Sequence, residues 1–319
     1  MKNKQFDVLA IGELNVDLIM NQINGFPVIG KEIEAKAMDL TLGSSTAIFA
    51  ANLSALGSRV GFLGKTGNDL FGELVRKSLS SKGIDISMVT VDPKVPTGAT
   101  IILNYDQDRA MITFPGAMQY LTIDDINDEI LSQANHVHFS SLFLQPGIRP
   151  NIDRLFKRAK KLGLTTSLDI QWDPEESWDF DYRLVLPLVD VFLPNEGELL
   201  HLAGKNDLYG ALEKVGKYAN HIAVKRGSKG ALLFSFSGEI IEKPAYQNNK
   251  VVDAIGAGDS FNAGFLFKFV QGAPLDECLN FGNLTGALNT TAAGGTGAFL
   301  SKKHIMNTLK EKFDITVDL

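Results

Sequence analysis

An α/β fold around a mainly parallel sheet is what this 319-residue sequence predicts, on three observations. Short apolar runs alternate with longer stretches of helical periodicity. Two segments break that rhythm with β-branched and apolar residues at near-alternating positions. Beyond residue 253 the pattern is helical almost to the end.

The apolar runs at 8–11, 60–63, 137–140, 166–169, 189–193 and 222–225 read as buried strands. The stretches 46–56, 69–82, 149–162 and 208–219 carry apolar residues at helical spacing and read as the helices between them. The breaks fall at 17–40 and 98–114, the second holding a turn at Asn104-Tyr105-Asp106-Gln107-Asp108. They predict a small sheet outside the main core. Helices then follow at 259–271, 275–292 and 302–312, interrupted by Gly272-Ala273-Pro274 and by Gly294-Gly295-Thr296-Gly297. With no low-complexity segment or fixed-period repeat, residues 1–319 read as one domain carrying that small sheet.

Composition narrows the function classes. Lys and Arg number 31 against 37 Asp and Glu, a net charge of -6, and no run of five or more like charges makes a basic tract, so nucleic acid is not an expected partner. No window approaches the roughly 18–20 uninterrupted apolar residues of a membrane span, and the start lacks a signal-peptide core. The expected compartment is the cytoplasm. The single cysteine, Cys278, has no disulfide partner, and metal-ligand spacings are absent, so a buried inert thiol is expected. Asn52, Asn283 and Asn289 open formal glycosylation triplets that carry little weight without a secretory signal.

The strongest chemical signal is Asp253-Ala254-Ile255-Gly256-Ala257-Gly258-Asp259-Ser260-Phe261 at the start of a helix. Gly256, Ala257 and Gly258 let the backbone turn tightly and bring helix N-terminal N–H groups up to an anion. Asp259, in the first turn, then stands where a carboxylate can accept a hydroxyl proton during phosphoryl transfer. Taken alone, the four residues Gly-Ala-Gly-Asp also fit a plain turn with a helix-stabilising acid.

The full string resembles the signature of the ribokinase-like (PfkB) carbohydrate kinase family, D-T-x-G-A-G-D-x-F, departing from it at Ala254. Far upstream, Thr41-Leu42-Gly43-Ser44-Ser45-Thr46-Ala47-Ile48 and the residues to Gly57, followed by Gly61-Phe62-Leu63-Gly64, are similar to the family's N-terminal signature. There the family more often has Gly at Ser44 and a sugar-contacting Asn at Ile48. The resemblance spans residues 6–312 with the motifs in the family's order.

That resemblance implies a three-layer sandwich, with a central mainly parallel sheet flanked by helices and a β lid from 17–40 and 98–114. It makes Asp259 the base and Gly256, Ala257 and Gly258 the anion hole. Asn15, Asp17, Gly43 and Ser44 would meet the sugar, with Arg109 as a lid residue. On the residues alone, the stretch Ser167-Leu168-Asp169-Ile170-Gln171-Trp172-Asp173-Pro174 reads as a polar and aromatic wall of the substrate site or as a strand end and loop. Asn195 and Glu198 in Pro194-Asn195-Glu196-Gly197-Glu198 resemble N-x-x-E and would support Mg²⁺ through water. Without the resemblance Glu198 is a helix first-turn acid. Lys225, Gly227 and Gly230 would approach ATP, or form a basic turn in solvent, and Asn283 would stand on the adenine side. ATP and Mg²⁺ are the implied cofactors, a monovalent cation near Asp253 a further one, and pairing of two lids a route to a homodimer.

Two other classes compete. A sugar-binding regulator on this fold would be expected to lose Asp259 or the glycine cradle, and both are present. A dinucleotide oxidoreductase needs G-x-G-x-x-G after the first strand, where this chain has Gly12-Glu13-Leu14-Asn15. The substrate expected is an unphosphorylated sugar or sugar acid of the ribose, fructose or 2-keto-3-deoxygluconate type, with a nucleoside or sugar phosphate as the alternative. Segments 12–20 and 43–52 contain no Lys or Arg, and Arg109 is the one basic residue in 97–114, whereas a second phosphate calls for several convergent cations.

Overall fold

The computed structural model describes residues 4–105 and 108–319, so the expected turn at 104–108 lies partly outside the described residues. β1 (Phe6–Ile11) shows how a central strand serves two cores: Val8 and Ala10 enter one core layer, Leu9 and Ile11 the other. β2 (Asn15–Ile23) and β3 (Ala35–Leu42) follow, separated by an exposed loop with Gly25, Pro27 and Gly30. α1 (Ser45–Leu56) then leads to β4 (Val60–Gly67). α2 (Leu70–Ser81) starts at Asp69, whose side chain accepts from Gly72 N, and precedes β5 (Asp85–Asp92).

β6 (Gly98–Tyr105) and β7 (Asp108–Phe114) pair antiparallel. Next come α3 (Asp128–Ser132), β8 (Ala134–Ser140), α4 (Ile152–Lys161) and β9 (Thr165–Asp169). α4 starts later than its periodicity suggests because Pro150 leaves 149–151 as a 3₁₀ turn. α5 (Tyr182–Val185), β10 (Val191–Phe192), α6 (Glu196–Ala203) and α7 (Leu208–Gly216) lead to β11 (His221–Lys225). β10 is shorter than the apolar run 189–193, since Val189 closes a 3₁₀ turn onto Leu186 and Pro194, which has no N–H, interrupts the ladder before Asn195 bridges Lys225. β12 (Ala231–Ser235) and β13 (Ile240–Lys243) precede the C-terminal helices α8 (Ala257–Phe269), α9 (Leu275–Asn289) and α10 (Lys302–Phe313).

The strands form two sheets. The large one has the order β13-β12-β11-β10-β9-β8-β1-β4-β5, parallel from β11 to β5, with β12 and β13 antiparallel at one edge. Helices α1, α2, α8, α9 and α10 cover one face, and α4, α6 and α7 the other. These are the three expected layers. Full burial of Phe139, Phe156 or Phe265 contributes on the order of 1.5–3 kcal/mol each. The edge strands β5 and β13 and the buried β12 beside β13 are additions to the expected set; the half-exposed runs of the two edges lack the fully apolar signal of the centre.

The small sheet has the order β3-β2-β6-β7 and comes from the two segments that break the alternation. Its register stacks Leu40, Leu18, Ile101 and Ile112 in one row, and Met38, Met20, Leu103 and Ala110 in the next. The opposite face carries Thr41, Asp17, Thr100 and Thr113.

Cys278 is buried, and burial pushes its thiol up to about 12, as an inert cysteine requires. Among the described residues no helix is long and apolar enough to cross a membrane.

Candidate active site

The ends of β1, β8, β9, β10 and β11 open onto one region, the carboxyl edge where parallel sheets place ligands. α8 begins there at Gly256, whose φ of 75° and whose closeness to Gly295, 2.6 Å from where a Cβ would sit, both demand glycine. Among the described residues no side chain caps this helix, which leaves its N-terminal N–H groups to an anion. Ala257 and Gly258 form that first turn. Asp253 fastens the loop before it, accepting Ile255 N and Gly294 N at 2.8 Å each with its two oxygens. Asn52 donates to Ser260 Oγ and Gly295 O at 2.9 Å, Ser260 donates to Asn289 at 2.9 Å, and Asn289 donates to Ile255 O at 2.6 Å. Asn52 and Asn289 are thus buried struts, and no sugar can be attached to them in the folded chain.

Asp259 is buried one residue past this cradle. Burial first, then the negative charges of Asp169, Glu13 and Glu198, push its carboxyl well above the usual range, while Lys225 opposes them. Gln171 Nε2 donates to its Oδ1 at 3.2 Å. Asp169 lies beneath, with no side-chain exposure, and accepts from Lys225 Nζ at 2.6 Å, Asn262 Nδ2 at 2.5 Å and Gln171 Nε2 at 3.1 Å. Its carboxylate is in the floor of the region rather than on its surface. Burial pulls the Lys225 ammonium down, but Asp169 and Glu198 outweigh that and hold it raised. Its Nζ is 3.7 Å from where a Cβ on Gly258 would be, so one cation stands beside both cradle and base.

On the other side, Asn15 Nδ2 donates to Thr100 Oγ1 at 2.8 Å and to Asp17 Oδ1 at 3.3 Å, while the buried Asn15 Oδ1 has no partner among the described residues. Burial raises Asp17 to about 7, with Glu13 adding to the rise, and Asn15 and Arg109 restraining it. Gly43 is required here, because a Cβ would fall 2.2 Å from Asp17 Oδ1. Ser44 has a φ of 73°, accepts Ala47 N at 3.0 Å and donates to Glu13 O at 2.6 Å. The left-handed backbone explains why glycine would suit its position. Arg109 is exposed on β7, near enough for its charge to act on Asp17.

Asn195 and Glu198 close a reciprocal cap at the start of α6: Asn195 N donates to Glu198 Oε2 at 2.8 Å, Asn195 Nδ2 to Oε1 at 2.6 Å, and Glu198 N to Asn195 Oδ1 at 2.8 Å. Burial, then the charge of Asp169, raises Glu198 to about 7. Among the described residues no group of three or more His, Cys, Asp or Glu is arranged to hold a metal ion. On the remaining wall, Gly227 is exposed in the β11–β12 turn, Gly230 is buried against Lys243 O, and Asn283 Nδ2 donates to Lys243 O and Pro244 O at 3.1 Å each.

Three participants had no individual signal in the sequence. Glu13 is buried and accepts from Ser45 Oγ at 2.7 Å and from Thr46 Oγ1, joining β1 to α1. Asn262 holds Asp169. Gln171 has a φ of 58°, and with Ser44 and Ser141 it makes a set of non-glycine residues in left-handed backbone around the region. Such strain gathers at functional sites.

The chain is 29% identical over 314 residues to the ATP-dependent ribose-1-phosphate kinase of Halopiger xanaduensis, covering 96% of this chain and 99% of that one. It is 30% identical over 298 residues to the 5-dehydro-2-deoxygluconokinase of Lacticaseibacillus casei, covering 89% and 90%. A solved E. coli structure described as a putative ribokinase II in complex with ATP and Mg²⁺ superimposes with a TM-score of 0.82 at 25% identity, covering 96% and 99%. Residues 5–302 match the pfkB family of carbohydrate kinases, and the chain belongs to that family.

Proposed function

We propose that this carbohydrate kinase transfers the γ-phosphoryl group of ATP to a hydroxyl of an unphosphorylated sugar or sugar acid, with Asp259 as general base. The observation that carries the reading is a buried carboxylate in the first turn of an uncapped helix, with Lys225 beside it. Helix N–H groups and the cation favour phosphate oxygens, and Asp259 takes the proton as the sugar oxygen attacks. Mg²⁺ and ATP, when bound, supply the phosphoryl group and the charge that offsets its oxygens. Asn195 and Glu198 orient the metal's waters, and Asn15 and Asp17 accept or donate to adjacent sugar hydroxyls. The small sheet acts as a lid that excludes water from the phosphoryl group.

The lid's apolar face supports pairing with a second copy of this chain. In the row nearest the core Val16 and Leu42 are covered, but Phe114 at its end is 52% exposed, and Met38 and Ile112 in the rows beyond are 61% and 66% exposed.

The test is ADP release with ribose, fructose, 2-keto-3-deoxygluconate and their monophosphates, for the wild type and Asp259→Asn. The variant should lose roughly 10²-fold or more in kcat with ATP affinity little changed. Near-normal kcat sinks the base assignment. A monophosphate preferred over every uncharged sugar and sugar acid overturns the substrate reading in favour of the activity named for the Halopiger relative.

A further inference from the structure

We infer that Gln171 is the positioning residue of the base: its carboxamide fixes Asp259 Oδ1 and leaves Oδ2 to the substrate hydroxyl. This rests on the reading of Asp259 as base. Gln171 Nε2 lies 3.2 Å from Asp259 Oδ1 and 3.1 Å from Asp169 Oδ2, so its two N–H groups serve two carboxylates at once. The nitrogen must face them, since the amide oxygen there would meet two acceptors. Among the described residues it is the one side chain that donates to Asp259. The Asp169 it also grips is immobile, held by Lys225 on β11 and Asn262 on α8. Gln171 therefore ties the base to the rigid floor of the sheet.

Its backbone adds a second argument. Gln171 follows β9 with a φ of 58°, a conformation that costs a non-glycine residue energy, and its own N–H returns to Asp169 Oδ1 at 3.2 Å. If the position served only the turn, glycine would serve it better. The side chain is what requires the strain.

Removing the amide should therefore harm turnover without harming the fold. The groups facing Asp259 are Asp169 on β9, Lys225 on β11, Glu198 on α6 and Glu13 after β1. Without Gln171, one donor to the ionised base is gone and its proton is harder to remove.

The experiment compares Gln171→Gly, Gln171→Met and Asp259→Asn using the fastest-turning sugar of the panel, with ADP release to water as a readout that needs no choice of sugar. Both Gln171 variants should lose roughly 10-fold in kcat, the worth of a charge-assisted hydrogen bond, with KM for ATP little moved. The acidic limb of the kcat–pH profile should shift to higher pH. Gln171→Gly should melt at or above the wild-type temperature, which separates lost positioning from lost stability. Wild-type kcat and an unmoved acidic limb in Gln171→Gly, beside an inactive Asp259→Asn, overturn the positioning role and leave the base reading standing. Kinetic loss in Gln171→Met alone, in step with a lower melting temperature, overturns it too. An active Asp259→Asn ends both readings.

Discussion

The two sheets handle polar residues in opposite ways. In the central strands of the large sheet both faces are buried, and at the carboxyl ends of β9 and β11 Asp169 and Lys225 meet Glu198 of α6 and Asp259 of α8 in a desolvated cluster. In the small sheet the separation is by face, with Asp17, Thr41, Thr100 and Thr113 on one side and rows of Leu, Ile and Met on the other. The difference teaches which parts are prepaid: the chemical end is assembled before any ligand arrives, while the sheet proposed as lid keeps its substrate face half-made and its other face bare.

The largest effect should come from breaking the cluster at its cation. Lys225→Met leaves Asp169 buried without its ion-pair partner, and loss of one member of such a pair costs about 3–5 kcal/mol. Arg109→Ala on the exposed strand β7 should cost under about 1 kcal/mol. Chemical denaturation of both variants checks the contrast, and Lys225→Met/Asp169→Asn should regain much of the loss. Equal costs at the two sites would erase the distinction between the sheets.

Next in size is the pH response of Asp17. Its carboxyl is raised to about 7 by burial, so between its ordinary value near 4 and pH 7 the folded state holds a proton that the unfolded chain has released. Stability from this group is therefore lost as pH rises through that window, by up to about 1.4 kcal/mol per unit. Asp17→Asn should flatten the decline. It should also remove the fall in KM for sugar expected between pH 6 and 8, because only the ionised carboxylate accepts from two hydroxyls. Parallel profiles for wild type and variant would place Asp17 outside the sugar contact.

How much of this was legible follows from the same contrast. Runs such as 8–11 and 60–63 announce strands because burial on both faces favours apolar or small residues at successive positions. The glycine turn before α8 was legible because a φ of 75° and the close approach of Gly295 leave no room for a side chain at Gly256. The edge strands were not, since β13 alternates exposed and half-exposed residues like any surface turn. Nor were Glu13, Asn262 and Gln171, because their roles depend on partners far away in the chain, 93 residues apart for Asn262 and Asp169. The position of Ser44 was legible as a glycine-like site, but only the left-handed φ of 73° gives the reason. Lys225 was expected to approach ATP, whereas its ion pair with Asp169 was not legible, because it needs the fold to bring β9 within one strand of β11.

The smallest effect on chemistry, and the sharpest on assembly, should come from the bare face of the small sheet. Ile112 stands in a row with Ile101, Leu18 and Leu40, pointing away from Asp17 and Thr100, and is two-thirds exposed at 66%. A lysine there disturbs no packing within one chain, so Ile112→Lys should keep the wild-type melting temperature at high dilution and nearly the same kcat. Two such faces brought together would bury the lysines against each other and against Met38 and Phe114, and burial of like charges opposes association strongly. Sedimentation velocity across a concentration series should then show a dimer for the wild type and a monomer for the variant. A wild type that stays monomeric at all concentrations removes the second copy as the occupant of this face. A variant that still dimerises moves the contact elsewhere, to the free edges of β3 or β7.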